Sequence, residues 1–190
     1  MKENEIRPKK IFNKFLDLTS KDIKKYFNGR KVKVKCVACG SGSKFSFKKN
    51  NFCYCECGKC KTLFVNPRPD ENAFFRYYKD SSSIKYLAKT LYKKTRKKRK
   101  EKIFKPKAKI IFEVLKKKNI KNLNCVDIGG GYGIFAQEIG KFLKKKTIVI
   151  EPSTALAAEC RKKKLLVVEK FLENVEKEDL PSSKKVFTCF

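Results

Sequence analysis

A short apolar stretch that leads through a glycine-rich turn into an amphipathic segment constrains the fold of this chain more than any other feature. Residues 125–133 read CVDIGGGYG, and apolar residues then recur at helical spacing in residues 134–143. A second apolar stretch, residues 147–150, ends in Glu151, which lies 20 residues after Gly131. This order predicts a strand, a turn, a helix and a parallel strand, the unit from which doubly wound α/β sheets are built.

The glycines of this turn indicate a ligand site but do not identify the ligand. Glycine allows a backbone to approach a ligand closely, and free N–H groups at a helix start contact polar or anionic atoms. In doubly wound folds, an acid at the position of Glu151 accepts hydrogen bonds from ribose hydroxyls. Residues 131–136 also match the dinucleotide pattern G-x-G-x-x-A. A nicotinamide-dependent enzyme therefore stays open, as does a purely structural strand–helix–strand unit.

Four of the nine cysteines form two knuckles of the pattern C-x-x-C. The first knuckle contains Cys36 and Cys39, and the second contains Cys57 and Cys60, with 17 residues between the inner cysteines. This spacing is typical of a zinc ribbon, in which four thiolates complete a tetrahedral shell and make the metal structural. A redox-active C-x-x-C pair is the alternative, and it would need only one knuckle at the start of a helix.

The other five cysteines have two different assignments. Cys53 and Cys55 lie next to the second knuckle and offer alternative metal ligands. Cys125, Cys160 and Cys189 lie in apolar surroundings, so we expect them to behave as small hydrophobic core residues.

The formal charge of +30 favours phosphate-rich partners through counterion release. The basic residues are mostly lysines spread along the chain, however, whereas arginine makes bidentate phosphate and base contacts. Residues 93–109 are the best nucleic-acid candidate, although they lack the interleaved aromatics of a stacking surface. A basic zinc-ribbon protein that binds RNA is therefore an alternative function, and a solvated lysine-rich surface explains the charge equally well.

The sequence lacks the features of membrane and secreted proteins. No stretch approaches the roughly 20 consecutive apolar residues that a bilayer span needs, and residues 1–5 do not begin an apolar signal segment. We therefore expect a cytoplasmic protein with no membrane partner, in which reduced thiols or metal ligation account for the cysteines.

Taken together, the motifs resemble bacterial class I S-adenosylmethionine (SAM) dependent methyltransferases that carry an N-terminal zinc-binding domain. An acid such as Asp127, in the strand just before G-x-G-x-G, is similar to the first cofactor motif of that family. The resemblance covers roughly residues 34–190 and rests on the two knuckles, on residues 62–69, on Tyr77 and Tyr78, and on residues 126–133 and 150–153.

The resemblance implies a set of cofactors and site residues. Cys36, Cys39, Cys57 and Cys60 would hold a structural Zn²⁺. SAM would contact Asp127, Gly129, Gly131, Gly133 and Glu151. The implied methyl acceptor is a small molecule, such as a sugar or a nucleotide-linked sugar. No catalytic residue is assigned, since Tyr77 and Tyr78 can either face the substrate or pack in the interior.

The expected architecture is an incomplete Rossmann-like methyltransferase sheet of the α/β class, preceded by a small zinc-ribbon module. The expected domains are a helical N-terminal extension (1–33), the zinc ribbon (34–70), a helical linker region (71–120) and the SAM-binding domain (121–190). The family has seven strands and a Glu-His pair after the fourth, whereas this sequence predicts about four strands and contains no histidine. We therefore expect a truncated fragment, whose activity and oligomeric state the sequence leaves open.

Between these motifs, hydrophobic periodicity makes coarser predictions. It predicts two successive helices within residues 11–27, a hairpin in residues 44–54 and two helices that break near Pro106. A polar helix is expected in residues 171–178.

Overall fold

Two sheets of different kinds organise the chain. The computed structural model describes residues 2–120, 123–180 and 186–189, and only the backbone of the last four. One compact unit is Leu16–Tyr77, and the other consists of Met1–Phe15 together with Tyr78–Phe190. The first unit contains an antiparallel sheet and the second a parallel one.

Both cysteine knuckles lie beside the antiparallel sheet, whose strands follow the order β2-β3-β4. A short β1–β5 pair accompanies it. The predicted hairpin is confirmed, because β2 and β3 are antiparallel neighbours. In chain order, the elements are α1 (Lys9–Tyr26), β1 (Lys31–Val32), β2 (Ser43–Lys49), β3 (Phe52–Cys57), β4 (Leu63–Val65), β5 (Arg68–Pro69) and α2 (Glu71–Asp80).

Helix α1 is continuous, so the predicted division into two helices was wrong. Hydroxyl side chains such as those of Thr19 and Ser20 favour helix starts, but they compete only weakly with an established backbone ladder.

The core of the first unit is aromatic. The ring centroid of Phe27 lies 5.0 Å from that of Phe74, 5.1 Å from that of Tyr77 and 5.7 Å from that of Phe52. Tyr77 therefore packs in the interior, which is one of the two roles expected for it; the other was to face the substrate. This cluster anchors one end of the antiparallel sheet through Phe52.

In the second unit, residues 82–117 form one unbroken helical run rather than two helices. Pro106 does not interrupt the run: it lies in the first turn of α5, directly after the π-helical segment Lys100–Phe104, where the backbone hydrogen bonds change from i→i+5 to i→i+4 spacing. The run consists of α3 (Ser82–Tyr86), a π-helical segment (Leu87–Tyr92), α4 (Lys93–Arg99), a second π-helical segment (Lys100–Phe104) and α5 (Lys105–Lys117).

The strands predicted on either side of the glycine-rich turn are parallel neighbours. Val126 pairs with Ile148 and Ile128 with Ile150 in a sheet of strand order β8-β7-β6-β9, in which every described pair is parallel. The elements are β6 (Asn124–Ile128), α6 (Ile134–Leu143), β7 (Ile148–Ile150), α7 (Thr154–Lys162), β8 (Leu166–Val168) and β9 (Val186–Cys189).

Apolar side chains bury both faces of this sheet, as parallel sheets require. On one face, Cys125 packs with Phe135 and Ile139 of α6. On the other, Val126 and its neighbours pack against residues 169–180. That segment forms two 3₁₀ turns instead of the predicted polar helix, with Val175 and Leu180 packed onto the sheet.

Cys125 and Cys160 are buried among apolar residues, which confirms their prediction as core residues. The side chain of Cys189 lies outside the described residues. None of the helices in the described part of the chain combines the length and apolar character that a bilayer crossing requires.

Candidate functional site

The glycine-rich turn lies at the carboxyl ends of β6 and β7. Gly129, Gly131 and Gly133 have φ angles of 67°, 54° and 71°, in the left-handed region that favours glycine. The N–H group of Gly129 donates to the carbonyl oxygen of Ile150 at 2.8 Å. The turn is thus tied to the neighbouring strand where a parallel α/β sheet normally binds its ligand.

Two glycines of the turn are required by packing. A Cβ atom on Gly133 would lie 2.6 Å from Cδ1 of Leu165 and 2.8 Å from Sγ of Cys160. A Cβ atom on Gly130 would lie 2.6 Å from Cγ1 of Val149. Gly133 allows the start of α6 to approach Cys160 of α7 closely, and Gly130 allows the turn to approach Val149 of β7.

The other two glycines border open space. A Cβ atom on Gly129 would meet no atom within 4 Å, and one on Gly131 would meet only the carbonyl oxygen of Gly129, at 3.9 Å. A ligand could therefore contact the backbone at Gly129 and Gly131. Of the three glycines predicted to contact a cofactor, Gly133 has its side-chain space filled by the protein itself.

The carboxylate of Glu151 holds the turn in place. Its Oε2 atom accepts a hydrogen bond from the N–H group of Gly131 at 2.8 Å, and its Oε1 atom accepts one from Ser153 at 2.9 Å. Burial raises the pKa of Glu151, although the amides of Ser153 and Gly131 oppose the shift. The side chain is 3% exposed. Glu151 thereby links the glycine-rich turn to the start of α7.

Asp127 has a buried oxygen that lacks a hydrogen-bond partner. Its Oδ2 atom is one of the two such side-chain atoms in the described part of the chain. Burial raises the pKa of Asp127 to about 7, opposed by Lys107 and the Ala136 amide and reinforced by the charge of Glu151. Unpaired buried carboxylates are costly, and strongly shifted pKa values of this kind cluster at functional sites.

A stack of rings and cations next to the turn was not predicted. The ammonium of Lys163 lies 3.5 Å from the ring centroid of Tyr132, and it donates to the carbonyl oxygen of Glu159 at 2.7 Å. Burial lowers the pKa of Lys163 to about 8. Tyr132 also contacts Tyr92, whose ring carries the guanidinium of Arg99. Lys163 lies in a lysine-rich stretch, so its sequence context did not distinguish it.

The four knuckle cysteines converge in the first unit. Their Sγ atoms all lie within 4.8 Å of one another. The pairs Cys36–Cys60 and Cys39–Cys57 are each separated by 3.5 Å. This exceeds the roughly 2.05 Å of a disulfide and is near the about 3.8 Å expected between sulfurs around a tetrahedral zinc. The cluster is arranged to bind a metal ion and is consistent with structural zinc.

Donors around two of the four sulfurs favour the thiolate form, whereas burial raises the pKa of Cys36 to about 11. The N–H groups of Lys59 and Cys60 both donate to Sγ of Cys57 at 3.4 Å. The Cys60 amide is the main reason that the pKa of Cys57 is lowered. The hydroxyl of Thr62 lies 3.1 Å from Sγ of Cys60 and lowers the pKa of that thiol to about 6. Thiolates are the form that binds zinc.

Cys53 and Cys55 do not belong to the four-sulfur cluster. The thiol of Cys55 donates to the carbonyl oxygen of Asn66 at 3.4 Å. The side-chain oxygen of Asn66 accepts from the N–H group of Val34 at 3.0 Å. Asn66 therefore holds the segment that leads to the first knuckle against the sheet.

A scan of protein-family models finds no match to this chain, and no curated protein matches it at a significant level. Inferences about its function therefore depend on its own residues and their geometry.

Cys57→Ser should abolish stoichiometric zinc binding, because it removes the most buried ligand of the cluster. We expect affinity to fall by more than the roughly 10- to 100-fold caused by losing an outer-shell partner. Zinc content per chain, measured by mass spectrometry on purified protein, tests this. Cys53→Ser is the matched control and should retain one zinc; equal loss in both variants would contradict the assignment.

Gly133→Ala should destabilise the protein more than Gly129→Ala, although both glycines have similar positive φ angles. At Gly129, the strain of placing alanine at a positive φ angle should alone lower the free energy of unfolding by about 1 kcal/mol. The close contacts at Gly133 add about 1–3 kcal/mol. Urea denaturation followed by circular dichroism measures the difference. Equal losses would show that the two glycines are not packed as described.

Asp127→Asn should stabilise the protein at alkaline pH. Because the folded-state pKa is raised to about 7, ionisation opposes folding, and stability is lost as pH rises from the unfolded value of 3.8 through 7. The variant should remove about 2 kcal/mol of pH dependence between about pH 5.5 and pH 8.5. Denaturation at both pH values tests this.

The exposed Asp80→Asn is the control for this measurement and should change stability by less than about 0.5 kcal/mol at both pH values. An Asp127→Asn protein that keeps the wild-type pH dependence would contradict the assignment.

Proposed function

We propose that the second unit binds SAM at the carboxyl edge of its parallel sheet and that the chain is a SAM-dependent methyltransferase. The observation on which this rests is the buried carboxylate of Asp127, whose Oδ2 atom lacks a hydrogen-bond partner, next to a turn with open space at Gly129 and Gly131. The strand order β8-β7-β6-β9 supports it, because it corresponds to the order 3-2-1-4 found in doubly wound nucleotide-binding sheets.

The charge of the site favours SAM over a nicotinamide dinucleotide. SAM carries a sulfonium and an ammonium group, which the ionised Asp127 carboxylate attracts, whereas the same carboxylate repels a diphosphate. A diphosphate also needs free turn amides. Here the amide of Gly129 donates to Ile150, that of Gly131 to Glu151 and that of Gly133 to Gly130. The carboxylate of Glu151 thus already occupies the position at the turn that a bound anion would take.

Each proposed binding residue has a distinct role. Gly129 and Gly131 allow close approach, and Asp127 acts on the cationic ligand through its charge. Glu151 keeps the turn in shape, and its carboxylate oxygens have further lone pairs that can accept hydrogen bonds from hydroxyl groups. Bound SAM would supply the methyl group that is transferred.

Methyl transfer depends chiefly on holding the acceptor in line with the methyl group. The proposed acceptor is a small molecule, a sugar or a nucleotide-linked sugar, which follows from the family resemblance alone. The four-cysteine cluster has all four ligand positions filled by protein, so its metal has a structural role in this proposal.

SAM affinity should increase with pH, because the ionised form of Asp127 attracts a cationic ligand. With a pKa of about 7, the ionised fraction rises about tenfold between about pH 6 and pH 8, and the association constant should rise by a similar factor. Isothermal titration of zinc-loaded protein at both pH values measures this. Asp127→Asn should bind more weakly and without this pH dependence.

The exposed Glu173→Gln is the control and should behave as wild type. NADH, titrated in parallel, should not bind. Folded, zinc-loaded protein that binds no SAM at either pH would overturn the proposal, and NADH binding that requires Asp127 would favour a nicotinamide cofactor instead.

A further inference from the structure

One face of the antiparallel sheet in the first unit presents the exposed ring of Phe47 next to the partly buried ring of Tyr54. The register places Phe47 opposite Tyr54, and Tyr54 opposite Val65, so the three side chains share this face. The rings of Phe47 and Tyr54 are stacked, with centroids 4.8 Å apart and planes at 14°. Phe47 is 40% exposed, and Leu63, on the same face, is also exposed. We call this surface, made of Phe47, Tyr54 and Leu63, the aromatic face.

A β-bulge separates this face from a second exposed ring. The register shifts between Phe45 and Phe47, so Phe45 lies opposite Cys55, on the face that also contains the buried Phe64. Phe45 is 66% exposed and more accessible than Phe47. The same strand therefore offers one aromatic residue on each face, one with a stacked neighbour and one without such a partner among the described ring contacts.

The outer side of the Phe47 ring can extend the stack. Strand β2 is at the edge of the β2-β3-β4 sheet, so in the described part of the chain no further strand lies beyond Phe47. Tyr54 covers one side of the ring. A planar ligand could stack on the other side and continue the row of rings.

The surroundings of the aromatic face are strongly basic. Residues 31–65 contain eight lysines and a single acid, Glu56. Glu56 lies 3.5 Å from the ammonium of Lys61, which compensates its charge. Lys44 and Lys49 flank Phe47 on β2 and are exposed, and Lys44 lies opposite Glu56 in the register. Lysines on an edge strand also discourage strand addition, but that role does not require an exposed ring between them.

We propose that the aromatic face binds single-stranded nucleic acid, with a base stacked on Phe47 and the lysines of β2 contacting phosphates. Stacking on aromatic rings within a positive groove is how proteins bind single strands without reading sequence. A duplex is a poorer ligand, because its bases already stack on one another. This proposal concerns the first unit and does not depend on SAM binding in the second.

The basic helical stretch formed by α4 and the π-helical segment that follows it, residues 93–104, is by contrast less suited to this ligand. Lys98 and Lys102 both pair with Glu5, and Lys100 pairs with Glu138. Its neighbouring ring, Tyr92, already packs against Tyr132 and Arg99. The helix therefore offers charge without an available ring.

Fluorescence anisotropy with labelled single-stranded RNA and DNA oligonucleotides of about 12 nucleotides tests the proposal on the full, zinc-loaded chain. Phe47→Ala should weaken binding about 5- to 100-fold, the range expected for losing one stacked base. Phe45→Ala, the control on the opposite face, should stay within about twofold of wild type. Unchanged zinc content in both variants confirms that the unit is folded.

The contribution of the β2 lysines is tested through the salt dependence of nucleic-acid binding. The double variant Lys44→Gln/Lys49→Gln should reduce the slope of log affinity against log salt by about 1–2. Lys93→Gln/Lys94→Gln, on the basic helix, should leave the slope nearly unchanged.

Four results would overturn the proposal. They are equal losses for Phe47→Ala and Phe45→Ala, a salt slope that depends on the helix lysines alone, tighter binding to duplex than to single strands, and no binding to oligonucleotides. In the last case, Phe47-dependent binding to phosphatidylserine vesicles would assign the face to an anionic lipid surface.

Discussion

The two hydrogen bonds accepted by the Glu151 carboxylate underlie the local structure of the second unit. One bond fixes Gly131 in its left-handed conformation, and the other fixes the start of α7 at Ser153. The thiol of Cys160 also donates to the carbonyl oxygen of Gly131, at 3.2 Å. With its backbone held this way, the turn can leave space open at Gly129 without collapsing onto the sheet.

This arrangement creates an electrostatic imbalance at the same edge of the sheet. The charge of Glu151 is matched by two amides, whereas the neighbouring Asp127 has a buried oxygen without a partner. The ammonium of Lys107 lowers the pKa of Asp127 but does not overcome the effect of burial. A folded protein that keeps such a group sacrifices stability, and a cationic ligand would restore the balance.

The first unit is stabilised in a different way. Small units that bury little apolar surface commonly rely on a metal, and here the four-cysteine cluster holds the knuckles while the Phe27 cluster anchors the other end of the sheet. On the sheet face between these two anchors, the side chains of Phe47 and Leu63 remain exposed. It is therefore available as the proposed contact surface, and the lysines around it favour an anionic partner.

The sequence by itself determined the features that depend on local pattern. Alternation of strand, glycines and helix predicted the parallel pair β6 and β7, and cysteine spacing predicted the four-sulfur cluster, because both patterns act over short stretches of chain. Only the tertiary structure decided which glycines are packed and which are open, since that depends on Leu165 and Cys160, far along the chain. It also decided that the Oδ2 atom of Asp127 has no hydrogen-bond partner and that the bulge separates Phe45 from Phe47. The physical reason is the same in each case. Residues that are neighbours in space and not in sequence decide which positions are buried, which polar atoms find a hydrogen-bond partner and on which face of the sheet a side chain lies.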